Sequence, residues 1–204
     1  MSTQPIKVWD PLLRIFHWSL VSLFLFAFIT EDDFLDLHVI AGYLIIGLIV
    51  FRLIWGVIGP RHARFSNFVK SPSQVNSYLK DVLLFRAKRY LGHNPAGGAM
   101  VIALLVSITM TVFFGMLTYG AMEFSGPLAG MVSGVSDTLA EGFEEVHEFF
   151  ANFTLFLVGL HVIGVVVASL QHRENLVQSM IDGYKQAEIA EQKIQPVNSD
   201  EVMQ

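Results

Sequence analysis

Four apolar runs, at about 12–30, 37–58, 97–120 and 144–170, decide what this chain can fold into. Each is close to the roughly 20 residues that cross a hydrocarbon layer about 30 Å thick as an α-helix. In hydrocarbon a backbone must satisfy its own hydrogen bonds, so four such runs read as four packed helices. Composition agrees: 204 residues, 53% hydrophobic and only 15% charged, lie outside the range of a soluble domain. The first run resembles a secretory signal core in being apolar and near the N-terminus. FITEDDF follows it where a small-residue cleavage site would stand, so it is read as retained. The absence of cysteine excludes disulfides, thiolate zinc, cysteine-held Fe–S clusters and covalent haem attachment through C-x-x-C-H.

Charge gives the runs a direction. All thirteen Lys and Arg fall at the N-terminus, around the end of the second run, in the 61–93 connection or after the fourth run. The other two connections carry Glu31, Asp32, Asp33, Asp36, Glu123, Asp137 and Glu141, and Glu144, Glu145 and Glu148 open the fourth run. By the positive-inside rule both termini are cytoplasmic and the acidic connections face the periplasm or exterior. The expected fold is all-α: a polytopic membrane four-helix up-down bundle over residues 1–186, with a disordered cytoplasmic tail over 187–204. Within it, Gly59-Pro60 stops the second helix. Residues 71–85 read as an amphipathic surface helix with Val75, Tyr78, Leu79 and Val82 on one side. A short helix follows the fourth span and ends around Gly183.

The ionisable residues inside the spans point to chemistry. His147 and His161 are fourteen residues apart. At about 100° per residue they return to within roughly 40° of one direction, about 21 Å apart along the axis. His17 stands early in a helix that starts inside, and His38 at the start of one that comes from outside. The histidines therefore sort into an inner pair, His17 with His161, and an outer pair, His38 with His147. One histidine near the end of a span is an ordinary interfacial residue. Two pairs, each matched in depth and split between helices, suit two b haems with two axial imidazoles each. Gly42 and Gly159 would leave room for the macrocycles. Arg14 and Arg52 are candidate partners for the inner haem's propionates, or plain cations snorkelling to the interface. His62, His93 and His172 read as solvated or headgroup residues. His93, just before Asn94-Pro95, is also a candidate for a quinone pocket or a propionate contact.

These residues carry a family likeness. WDPLLRIFHW resembles the R-x-x-H-W opening of the bacterial cytochrome b561 and nickel-hydrogenase b-type cytochrome family. LHVIAGY resembles its second ligand segment, VHEFFANFTLFLVGLH its H-x13-H helix, and HRENLVQSMIDGYK its post-helix segment. The likeness spans about residues 5–186. It implies a four-helix bundle with two non-covalent b haems on His17, His38, His147 and His161, moving electrons between quinone and a partner that is often periplasmic. In the hydrogenase branch a Thr-Gly often follows the first span, where FITEDD stands here.

The expected protein is thus a di-haem cytochrome of the bacterial cytoplasmic membrane. It would carry electrons between the quinone pool and a periplasmic redox protein such as a c-type cytochrome. Bis-histidine iron has no open position, which suits electron transfer. The alternatives are a superoxide:quinone oxidoreductase, the cytochrome b anchor of a hydrogenase or dehydrogenase complex, and a non-redox metal-binding transporter or scaffold. An anionic substrate calls for a positive collecting surface, which the acidic outer connections do not offer. A homodimer is compatible with this reading, and nothing in it calls for nucleic acid.

Overall fold

Three helices begin on the same local device. Asp10-Pro11, Ser71-Pro72 and Asn94-Pro95 each place a side-chain acceptor at the cap and a proline in the first turn. Asp10 accepts from the Leu13 amide at 3.1 Å and Asn94 from the Gly97 amide at 2.7 Å, while Ser71 closes a capping box with Gln74. In the computed structural model, which describes residues 3–31 and 33–188, these caps open α1 (Pro11–Ile29), α4 (Pro72–Leu83) and α5 (Pro95–Met122). The others are α2 (Leu35–Ile58), α7 (Asp137–His172) and the short α3 (Phe65–Phe68), α6 (Ala129–Val132) and α8 (Leu176–Asp182).

Helices α1, α2, α5 and α7 are long and apolar enough to cross a membrane. Only 11–22% of their most apolar windows is buried inside the protein. Ile29, Val57 and Leu170 stand 78%, 70% and 75% exposed. Such a surface would be costly in water at about 25 cal/mol per Å². Against lipid tails it is ordinary.

The bundle is two helix pairs. α1 lies along α2, α5 lies along α7, and α2 also meets α5. Ala99, Ala103, Ser107, Thr111 and Gly115 recur at every fourth position of α5, the small-residue spacing that lets two backbones approach closely. The buried Ser107 and Thr154 hydroxyls meet across this α5–α7 seam at 2.7 Å. α7 is thereby held against α5 and makes no extended contact with α1 or α2.

The ends differ. At one, strand β1 (Thr3–Lys7) pairs antiparallel with β2 (Tyr184–Glu188), with Gln4 opposite Ala187. Gly183, at φ +90°, turns the chain from α8 into β2, and its carbonyl accepts from the Val8 and Trp9 amides at 2.9 and 3.1 Å. Arg14 donates to the Ile181 carbonyl, and the Trp18 indole donates to the Met180 carbonyl at 3.2 Å. Val8, Trp9, Leu13, Phe16, Ala63 and Leu105 bury together beneath this cap. Both described chain ends and the 59–94 connection gather here, at a basic end. The connections after α1 and α5 lie at the other, acidic end, so the spans alternate up and down as the charge pattern requires.

Three expectations change. The β1–β2 ribbon adds a non-helical element to the described residues. α7 begins at Asp137 rather than 144, because the Ser136 hydroxyl accepts from the Leu139 amide and starts the helix ahead of the apolar run. β2 extends to Glu188, past the expected onset of the tail at 187. The rest of that tail, 189–204, lies outside the described residues.

Candidate functional site

The four histidines meet in the expected pairs. His17 of α1 faces His161 of α7 with ring centroids 6.4 Å apart, and His38 of α2 faces His147 of α7 at 6.0 Å. Two imidazoles sharing one metal, each nitrogen about 2 Å from it, have centroids roughly 6 Å apart. All four are half-buried and sit where α7 stands off from α1 and α2.

Local structure sets the chemistry of the acidic-end pair. His38 Nδ1 lies 2.9 Å from the Ala27 carbonyl oxygen, in the last turn of α1, and His147 Nδ1 lies 2.8 Å from that of Thr111 on α5. A carbonyl can only accept, so each Nδ1 carries the proton and donates it. That leaves each Nε2 lone pair free, the arrangement that orients imidazoles toward a metal. Gly115 makes the His147 approach feasible. A Cβ there would stand 2.9 Å from the ring's Nδ1 and Cε1. The hydropathy reading missed Gly115. Its signal in the sequence is that it closes the small-residue ladder of α5.

A cavity adjoins this pair, walled by Phe24, Phe28, Ile45 and Ile108 and bordered by Gly42 and Glu31. A Cβ on Gly42 would meet no atom within 4 Å, nor would one on Gly159, so both leave open space. Paired rings at metal-sharing distance, free Nε2 atoms and an apolar cavity fit a planar metal macrocycle.

The basic-end pair is surrounded differently. His17 Nδ1 is buried without a hydrogen-bond partner, and the ring meets Trp18 edge-on at 5.1 Å. The Arg14 guanidinium is engaged at the end of α8. Arg52 does not snorkel. It is 2% exposed, donates through Nη1 to the Ala63 carbonyl at 3.1 Å, and lies 4.6 Å from the Phe65 ring centre.

The solvated reading is corrected for His93, while His172 is half-buried. His93 Nδ1 and His172 Nε2 are buried without partners. The His93 ring packs against Phe68 at 4.6 Å and Trp9 at 4.8 Å. Burial first, then the positive charge of Arg52 and Lys185, push its pKa down to about 3, so His93 is neutral at pH 7. His62 lies beside it, 6.4 Å from Trp9, with burial and Arg61 lowering its pKa.

Comparison with known proteins points the same way. The profile of the family described as prokaryotic cytochrome b561 matches residues 8–183. A protein of Cupriavidus necator named "Probable Ni/Fe-hydrogenase B-type cytochrome subunit" is 24% identical over 161 residues, 72% of this chain. That match spans 65% of the Cupriavidus protein's own length. A protein of the same name from Rhizobium leguminosarum bv. viciae is 23% identical over 215 residues, 88% of each chain. No solved structure matches. The matched stretch takes in all four apolar helices and all four paired histidines, and on that ground the chain belongs to the prokaryotic cytochrome b561 family, as an integral-membrane b-type cytochrome.

Proposed function

We propose that the chain binds two b haems, one between His17 and His161 and one between His38 and His147, and passes electrons between them across the membrane. The observation that carries this is the pair of imidazole spacings, 6.4 and 6.0 Å, set at two levels of a single helix. When bound, haem iron supplies one-electron redox chemistry. Two histidines would hold each iron, which would leave no ligand position for substrate. The Ala27 and Thr111 carbonyls hold the acidic-end imidazoles in one tautomer. Phe24, Phe28 and Ile108 keep water from that site. Helix α7 separates the two levels by about 21 Å.

By the positive-inside rule the basic end lies in the cytoplasm. Exposed Asp33, Asp36, Glu141, Glu144 and Glu148 then present an acidic surface outside, suited to a basic redox protein such as a c-type cytochrome. The same charge disfavours superoxide as donor. Quinone is the partner within the bilayer. A second reading draws on the relatives' name: the outer partner is a fixed hydrogenase or dehydrogenase subunit and this chain is its membrane cytochrome. Co-purification from native membranes separates the two, since a stable subunit stays bound and a mobile carrier does not.

A reduced-minus-oxidised spectrum of the purified protein should show b-type α-bands, with two haems per chain by pyridine haemochrome. No b-type band, or fewer than two haems, would sink the reading. Gly115→Ala tests its second layer. The added methyl drives the His147 ring off the Thr111 carbonyl, and the loss of such an orienting bond weakens metal binding by about 10–100-fold. The acidic-end haem should then wash out under dilution while the basic-end haem stays.

A further inference from the structure

The structure assigns Arg52 a ligand: we propose that its guanidinium, buried at the basic end of α2, holds a propionate carboxylate of the haem between His17 and His161. This rests on the reading of that histidine pair as a haem site.

Three observations converge. The first is register. His38 and Arg52 on α2 are fourteen residues apart, the spacing of His147 and His161 on α7. Both helices run from the acidic end to the basic end, and His38 and His147 face each other at 6.0 Å. The same rise of about 21 Å therefore carries Arg52 to the depth of His161, on the face of α2 that carries His38.

The second is an unbalanced charge. Arg52 is 2% exposed, and among the described residues no carboxylate lies within 4 Å of it. Asp10 acts on it only from beyond that distance, and its Oδ1 accepts from the Leu13 amide at 3.1 Å and the Trp55 indole at 3.2 Å. Five guanidinium donors have one recorded acceptor, the Ala63 carbonyl. A buried cation is costly unless an anion accompanies it.

The third is the distribution of unmet polar atoms. Among the described residues, the buried side-chain atoms without partners are Arg14 Nε, His17 Nδ1, His93 Nδ1, both amide atoms of Gln171 and His172 Nε2. All belong to the basic end. Buried polar groups in native proteins find partners, so orphans gathered at this end suit a polar group that the chain does not supply. A planar fork suits a carboxylate, which it can meet with two parallel bonds.

A lipid phosphate at the cytoplasmic boundary shares that anionic chemistry, and one experiment separates the two sources. The His147→Ala protein, stripped of haem and held in detergent micelles, is offered equal amounts of haem and haem dimethyl ester, and the bound ratio is read after extraction. The ester keeps the iron and the ring but has no carboxylate. With Arg52 in place, haem should be preferred by at least about tenfold, the scale of a charge-assisted hydrogen bond. Arg52→Gln should bring the ratio near one, and Arg52→Lys should fall between.

A preference that survives Arg52→Gln overturns the inference and leaves Arg52 to a lipid or other anion. So does a ratio near one with Arg52 present. If the Gln variant takes up neither ligand, the Lys variant decides, and an undiminished preference there counts against the inference equally. Failure of the parent reading looks different: the His147→Ala protein binds no haem, or goes on binding it after His17→Ala is added.

Discussion

His147→Ala is expected to leave one haem per chain in place of two, with the surviving haem at the basic end. On the proposed pairing His38 and His147 together hold that haem, and His38 would be left as its only protein ligand. The helix should survive the change, because alanine is the strongest helix former. The α5–α7 seam should survive too, since it rests on small residues and on the Ser107–Thr154 bond at 2.7 Å. His161 lies about 21 Å along α7 and has its own partner in His17. Pyridine haemochrome should therefore give half the native haem per chain, and the optical spectrum should lose one component and retain the other. Loss of both haems would mean that the two sites assemble as a unit, or that the ligands pair differently. His161→Ala should give the mirror result.

Glu174→Ala should cost about 3 kcal/mol, the scale for breaking a buried ion pair by removing one partner. The Glu174 side chain is 12% exposed and receives two cations. Lys185 Nζ, on a side chain 4% exposed, lies 3.4 Å from Oε2, and Arg89 Nη2 lies 3.1 Å from Oε1. Arg89 is 33% exposed and keeps a bond of 2.6 Å to the Gln186 carbonyl, so most of the cost falls on Lys185. Burial depresses the Lys185 pKa and Glu174 raises it, so removing the acid leaves only the unfavourable influence. The three residues join the connection before α5, the turn after α7 and β2, whereas the bundle seam lies elsewhere. The damage should be local, with faster amide exchange in the β1–β2 ribbon and α8 and little change along α5 and α7. Unchanged exchange in the ribbon would show that α8 alone holds the cap closed. Glu174→Gln, which keeps the acceptor and loses the charge, should lie between.

Arg52 and Gly115 show where a one-dimensional reading stops. Arg52 sits at the end of an apolar run, and hydropathy allows it to snorkel or to turn inward. The choice is made by Ala63, Phe65 and Phe68, which fold back over it from beyond Gly59-Pro60. Gly115 is one glycine among sixteen until α7 brings His147 against it. The β1–β2 ribbon was hidden for a related reason. It pairs Gln4 with Ala187, and the short polar segments TQPIK and YKQAE carry no alternation that announces a strand.

By itself the sequence determined the four spans, their alternating direction and the two depths of histidine. Hydropathy, charge placement and the pitch of an α-helix are local properties, and a bilayer converts them directly into depth. The start of α7 was local too, in the Ser136 cap, but a window that follows apolar residues passes over it. Only the tertiary structure decided which carbonyls hold His38 and His147, that Arg14 serves α8 while Arg52 turns inward, and that β1 and β2 close a cap over the basic end. Those outcomes depend on contacts between residues far apart in sequence, set by how closely α5 and α7 approach and how far α7 stands from α1 and α2. Small side chains govern the first distance. The second leaves the open space beside the paired rings.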